Sequence, residues 1–354
     1  MFELNEKIRD LIPYEPIRGY FDVRLDANES FLSLPEDVRQ QLAEIARTLP
    51  YNRYPDPLAE AVCQAFGEYY GVDPACVAGG DGSDELINIL MNAFLEKGDT
   101  LVTVLPDFSM YGFYAHMAGG REAAVRKDDS LTVDVDLVIR RVREEKARML
   151  IFSNPCNPTS VGLGREEVRR ILSGTDALVV LDEAYMDFWD QSLLGEVEEH
   201  DNLIILRTCS KMLGMAALRL GFAVANSRLT GVLRAAKSPY NVNAVTQAMA
   251  NVVLANLVYQ DVYRELLIAS RDGLLGGFRG LEEDGLVERV YDSRTNFVYV
   301  RLKDAGRMYA LLCDRGILVR RFGDRHLRVT AATQAENEEL LAVMRFLLTH
   351  QEIQ

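Results

Sequence analysis

From about residue 57 to residue 240 the sequence alternates helical patterns with short apolar, β-branched runs, each closed by turn residues. Few architectures tolerate that alternation. The runs Leu101–Leu105, Met149–Ser153, Leu178–Asp182, Leu203–Thr208 and Gly221–Ala225 are apolar through most of their length, as strands must be when helices cover both faces of their sheet. The pattern predicts an α/β fold with a mostly parallel central sheet. After Asn241 a helical period continues without proline to about Gly280, and strand-like segments at 296–302, 317–321 and 327–330 precede a last helix. That tail reads as a smaller α+β lobe. A chain of 354 residues exceeds what one core ordinarily holds, so we expect two domains, residues 30–245 as the large one and residues 1–29 with 246–354 as the small one.

Composition removes several classes of function. A net charge of −14 repels polyphosphate backbones, so no nucleic-acid partner is expected. The five cysteines are scattered without a C-x-x-C pair and the four histidines are dispersed, which argues against a disulfide framework and against any metal centre. No apolar run approaches the roughly 18–20 residues that cross a bilayer, and residues 1–20 carry no signal-peptide core. A cytoplasmic protein with no membrane partner is the expectation.

In open parallel sheets, ligands collect beyond the carboxyl ends of the strands. Here Met149–Ser153 runs into Asn154-Pro-Cys-Asn157-Pro-Thr-Ser160, Leu178–Asp182 into Asp182-Glu-Ala-Tyr185, and Leu101–Leu105 into Pro106-Asp107-Phe108. Leu203–Thr208 runs into Ser210-Lys211, with Arg219 further on. Singly these residues are unremarkable, since Asp182 or Ser83 can cap a helix and Phe108 can fill a core. Together they supply what pyridoxal 5′-phosphate (PLP) demands of a protein. Lys211 offers an amine for the aldehyde, Asp182 a carboxylate for the pyridine nitrogen, Tyr185 and Asn157 donors for the phenolate oxygen, and Phe108 a flat cover. The anion cradle would be the Gly82-Ser83 start of a helix over 84–95, where backbone N–H groups and the positive helix end meet a phosphate, completed by Ser210 and Arg219. Asp84 would repel that phosphate, so its amide is expected to face the anion while its side chain serves the helix terminus. Gly79-x-x-Gly82 is not a P-loop, because no Gly-Lys-Ser/Thr follows.

The order and spacing of these motifs resemble the fold-type I PLP enzymes, and more closely the histidinol-phosphate aminotransferase family, over nearly the whole chain. The resemblance rests on Ile8-Arg-Asp-Leu-Ile-Pro-Tyr14-Glu-Pro, Leu25-Asp-Ala-Asn28-Glu29, Arg53-Tyr54-Pro-Asp, Gly80-Asp-Gly82-Ser83-Asp84-Glu85 and Asn157-Pro-Thr. It continues through Asp182-Glu-Ala-Tyr185, Ser210-Lys211 to Arg219, and Pro239-Tyr-Asn-Val-Asn243. It implies that Lys211 carries the cofactor as a Schiff base and then shuttles the substrate proton, with Asp182 keeping the ring nitrogen protonated. It further implies that Phe108 covers the ring, and that Tyr54 reaches the phosphate of a neighbouring subunit's cofactor, making the active unit a homodimer with shared sites. Arg320 and Arg328, with Tyr14, resemble the family's anion-binding substrate residues, where one arginine pair would serve both an amino donor and a 2-oxo acid acceptor.

Three departures bear on the substrate. Ser160 stands where glycine usually follows Asn-Pro-Thr, Phe31–Pro35 lacks the usual Pro-x-Gly-Pro, and Thr330-Ala-Ala-Thr replaces a glycine-containing stretch. Histidinol phosphate is the leading donor that the resemblance implies, with an aromatic amino acid as competitor. A threonine-phosphate decarboxylase on the same scaffold and a non-catalytic PLP-binding regulator are the alternatives of other classes.

Overall fold

The computed structural model describes residues 2–9, 11–13 and 17–350. A two-residue strand, β1 (Val23–Arg24), precedes the large sheet, which is built from β2 (Val77–Gly80), β3 (Thr100–Leu105), β4 (Arg121–Arg126), β5 (Met149–Ser153), β6 (Leu178–Asp182), β7 (Leu203–Thr208) and β8 (Gly221–Ala225). Their order is β2-β8-β7-β6-β5-β3-β4. All run in one direction except β8, which is antiparallel to both neighbours. The mostly parallel α/β sheet expected from the apolar runs is therefore present, with one of those runs reversed. β2 and β4 add two strands that the apolar runs do not announce. Val-Ala-Gly-Gly has little β-forming character, and the edge strand Arg-Glu-Ala-Ala-Val-Arg is too charged to read as buried.

Alternation within each strand explains why both faces are apolar. Leu150 and Phe152 of β5, Val179 and Leu181 of β6, and Leu203 and Ile205 of β7 enter one core, whereas Met149, Ile151, Val180, Ile204 and Leu206 enter the other. Helices Glu60–Tyr70, Val135–Glu144 and Arg165–Gly174 cover the first face; helices Gly82–Phe94, Met110–Ala118 and Ser227–Ala236 cover the second. Among the described residues no helix is long and apolar enough to cross a membrane.

A separate core gathers residues from both ends of the chain. Strands β9 (Arg289–Val290), β10 (Phe297–Arg301), β11 (Ile317–Leu318), β12 (Arg320–Phe322) and β13 (His326–Thr330) follow; four of them form an antiparallel sheet ordered β12-β13-β10-β9, and β11 pairs in parallel with β1. Leu274 and Phe278 of helix Gln260–Glu283, Met308 and Leu312 of helix Ala305–Asp314, and Leu340 and Met344 of helix Gln334–Thr349 pack with Val23, Leu25 and Val298. The last helix starts on a capping box in which Thr333 and Glu336 satisfy each other's backbone amides. Leu25 binds Leu318 through its amide and Thr330 through its carbonyl, which delivers Asp26–Glu29 to the edge of the large sheet.

Candidate active site

The parallel strands end along one edge of the large sheet, and a cavity of about 970 Å³ opens there. From the large sheet and its loops it is lined by Ser83, Asp84, Phe108, Asn157, Asp182, Tyr185, Ser210, Lys211 and Arg219, and from the smaller lobe by Arg320 and Arg328. Gly82 lies directly behind Ser83 and Arg219 and is not itself a lining residue. Tyr54 is elsewhere, 81% exposed and stacked on Tyr240 at 4.7 Å, so this chain does not bring it to its own cavity. Tyr14 lies outside the described residues.

Asp182 is buried as the last residue of β6 and accepts from the Tyr111 hydroxyl at 2.8 Å and from the Ala184 amide at 3.1 Å. Burial dominates and pushes its carboxyl up to about 6, against the Tyr111 bond, which favours the ionised form. Such a carboxylate gains from a cation placed against it. Tyr111 is a site residue that the motifs do not reveal. The available signal is its spacing from Phe108, one helical turn away, and the two rings meet edge to face at 5.6 Å.

Lys211 is partly buried, and its Nζ donates to the Ala27 carbonyl at 3.0 Å. Burial first, and then the positive charge of Arg328, pull its ammonium down to about 8. Tyr185 is buried beside it, with its hydroxyl accepting from Asn28 Nδ2 at 2.8 Å, so the phenolic proton remains free to donate. Asn28 holds that pose at a positive φ of 54°, which its short polar side chain tolerates. Its amide donates to Thr330 Oγ1 at 2.9 Å, and the Thr330 hydroxyl returns a bond to Asn28 Oδ1 at 3.0 Å. Thr330, one of the departures in sequence, thus braces Asn28 and Tyr185.

Opposite stands Arg328, 7% exposed, between the rings of Phe297 and Phe322 at 5.4 and 5.5 Å. It donates to Asn157 Oδ1 and to the Asp26 carbonyl, and its Nε is buried without a partner among the described residues. A buried donor left open is what an anionic ligand group satisfies. Because β12 and β13 pair in a hairpin, Arg320 lies directly across from Arg328. Ser160, another departure, adopts a left-handed φ of 61° where glycine would be unstrained, and its hydroxyl bonds the Asp292 carbonyl at 2.8 Å. That bond ties the Asn157 loop to the smaller lobe.

The expected anion cradle lies at the start of helix Gly82–Phe94, whose N-cap, Asp81, makes no side-chain cap bond among the described residues. Ser83 sits inside the first turn and is not the cap. Glu85 Oε2 instead accepts from the Asp81 amide at 2.6 Å and from Asn241 at 2.8 Å. The expectation that the Asp84 side chain serves the helix terminus is corrected: Asp84 accepts from the Tyr114 hydroxyl at 2.9 Å on the neighbouring helix, because first-turn side chains point away from the helix axis. Arg219 reaches Ser210 Oγ at 3.5 Å. Gly82 adopts φ +80°, which a side chain would strain, and a Cβ there would lie 2.6 Å from Arg219 Nη2 and force the guanidinium to move.

Gly221 also stands outside the recognisable motifs, and it sets the closeness of this cradle. A Cβ there would fall 2.4 Å from the Ser83 amide nitrogen and 2.6 Å from the Gly82 carbonyl carbon, both backbone atoms. Gly221→Ala is expected to destabilise the protein by roughly 1–3 kcal/mol and to weaken phosphate binding, because the helix start must retreat from Arg219. Thermal denaturation and titration with inorganic phosphate measure the two effects; unchanged values for both would mean the segments are not in contact.

Lys211, the buried Asp182 and the helix start beside Arg219 gather in one cavity at the carboxyl edge of the parallel sheet, an arrangement suited to a phosphorylated, cation-bearing group. The chain belongs to the aminotransferase class I and II family, whose model matches residues 22–344. Among curated relatives it is similar to the histidinol-phosphate aminotransferase of Clostridium kluyveri, at 37% identity over 95% of this chain and 96% of that protein. The corresponding protein of Clostridium novyi is 38% identical over 95% of each chain. The crystal structure of histidinol-phosphate aminotransferase from Sinorhizobium meliloti in complex with pyridoxal-5′-phosphate superposes with a TM-score of 0.85 at 25% identity, covering 97% of this chain and 98% of that one.

Proposed function

We propose that this chain is a PLP-dependent aminotransferase that moves the amino group of histidinol phosphate to 2-oxoglutarate, working in the cytoplasm as a homodimer. One observation carries the reading: a basic amine and a buried carboxylate face a single cavity that is also lined by Ser83 and Arg219 and by the pair Arg320 and Arg328. The residues present fit PLP. Asp182 is a buried acid awaiting a cationic partner, and Gly82 leaves space where any side chain would displace Arg219. The names of the curated relatives support the donor, and Arg320 with Arg328 supports a substrate that carries an anionic group.

When bound, PLP supplies a conjugated ring that accepts the electron pair left on the substrate as its α-proton departs. Asp182 would hold a proton on the pyridine nitrogen, Tyr185 would donate to the phenolate oxygen beside Asn157, and the Phe108 ring would pack on the cofactor face. Ser83, Asp84 through its amide, Ser210 and Arg219 would hold the phosphate. Arg328 and Arg320, with Tyr14, would orient the substrate anion, and Tyr54, exposed as it is, would serve the phosphate of the partner's cofactor. Lys211 would take the α-proton of the substrate at a neutral Nζ and hand it on to the cofactor rather than back to the α-carbon. Lowered to about 8, that amine is neutral in about a tenth of molecules at pH 7; an ordinary lysine would be neutral in well under one in a thousand.

The rate at which apoprotein captures PLP should therefore climb about tenfold per pH unit and level off above pH 8, since the proton must leave Nζ before it attacks. Arg328→Gln removes a positive neighbour and should move that rise to higher pH. A rise centred near the ordinary lysine range in the wild type would contradict the assigned environment. The donor is tested by glutamate formation from 2-oxoglutarate with histidinol phosphate, with phenylalanine or tyrosine, and with threonine phosphate. Glutamate from histidinol phosphate is expected; glutamate from the aromatic amino acids alone, or carbon dioxide from threonine phosphate, overturns the assignment.

A further inference from the structure

Lys127 and Cys156 have no part in the chemistry above, yet they meet beside the cavity. Lys127 directly follows β4, Cys156 lies in the loop after β5 just before Asn157, and Lys127 Nζ stands 2.8 Å from Cys156 Sγ. That is close for sulfur, since the smaller oxygen atom already settles at about 2.7–3.2 Å from a nitrogen donor. Both side chains also hold the Pro106 carbonyl, the amine at 2.9 Å and the thiol at 3.5 Å. Cys156 is 1% exposed, so this is a built contact and not a surface encounter. Against the pair lies a separate cavity of about 10 Å³, bounded also by the buried Asp107. It is at the lower limit of what admits one molecule the size of water.

We propose that Lys127 and Cys156 form a site of oxidative modification, at which hydrogen peroxide links Nζ to Sγ through a single bridging oxygen. One peroxide oxidises the thiol to a sulfenic acid and leaves as water. A second oxidises the neutral amine to a hydroxylamine and leaves as water. The hydroxylamine oxygen then bonds to sulfur, the S–OH bond breaks, and a third water departs. Sulfur and nitrogen each give up two electrons, one pair to each peroxide, and two dithiols returning four electrons restore thiol, amine and water. A direct S–N bond would require the atoms to close their gap, whereas an inserted oxygen occupies the distance already present. The product staples the end of β4 to the loop that carries Asn157, and it is independent of which amino donor the enzyme uses.

The test is peptide mass spectrometry of the full chain after exposure to hydrogen peroxide under native conditions, with and without subsequent dithiothreitol. The expected product joins the peptides bearing Lys127 and Cys156 with a gain of one oxygen less two hydrogens, and it disappears on reduction. Lys127→Arg should show no link and should carry Cys156 to its sulfinic acid instead. Because the crosslink is read in the wild-type protein, a folding defect in the variant leaves the test intact. The proposal is overturned if Cys156 remains a free thiol at doses that oxidise the more accessible Cys313. It is equally overturned if Cys156 is oxidised with Lys127 untouched, or if the joined peptides have lost two hydrogens without gaining oxygen.

Discussion

Lys211→Ala should lower turnover by about 10⁴-fold while leaving the protein folded. On the proposed function the variant loses both the amine that would meet the aldehyde and the base that would move the substrate proton, so binding and proton transfer should fail together. Stability should hold, because among the described residues the side chain makes one hydrogen bond, to the Ala27 carbonyl, and its removal relieves repulsion from Arg328 and Arg219. Two readouts separate this role from a structural one. Borohydride treatment of the PLP-loaded wild type should leave label at position 211 and none in the variant. Small primary amines such as methylamine should restore part of the lost rate, since they can enter the space the side chain vacates. Activity within tenfold of wild type, in a folded variant that shows no label, would remove Lys211 from the mechanism.

Asp182→Asn should reduce turnover by roughly 10²–10³-fold, more than it weakens PLP binding. The substitution preserves size and an acceptor for the Tyr111 hydroxyl but cannot keep a pyridine nitrogen protonated. The apoprotein offers a second measurement that does not depend on activity. The folded carboxyl titrates at about 6 against an ordinary value of 3.8, so its contribution to stability is fully present below the lower value and is lost as pH rises through the higher one. Wild-type apoprotein should therefore lose on the order of 2–3 kcal/mol of unfolding free energy between pH 4 and pH 8 that Asp182→Asn does not lose. Saturating PLP should reverse the difference, because a cation against the carboxylate draws its pKa back down. Parallel stability curves for the two apoproteins would mean that Asp182 is ionised without cost and has no need of a cationic partner.

Most of the site is legible along the chain. The residues after each apolar run fall on the cavity, Lys211, Asp182, Tyr185, Asn157 and Phe108 among them, because strand ends and their loops are local features. Residues whose role depends on distant contacts are not legible in this way. Tyr111 reads as one more core aromatic until its hydroxyl is seen on Asp182, and Asn28 contributes only because the smaller lobe carries it to Tyr185, 157 positions away. Asp84 misleads for the same reason: its partner, Tyr114, lies on another helix.

Periodicity, and side-chain chemistry within a few residues, are enough to mark the segments that become buried strands, the helix that begins with an open cradle, and the side chains that stand ready at the strand ends. Direction and pairing came from the assembled fold. There β8 runs against its neighbours, starting at the carboxyl edge where β7 and β2 end, which puts Arg219 and Gly221 against Gly82 and Ser83. The β12–β13 register that sets Arg320 across from Arg328 arose in the same way. An apolar run records that a strand is buried but not its direction or partner, because those are fixed by pairing and packing between segments far apart in the chain.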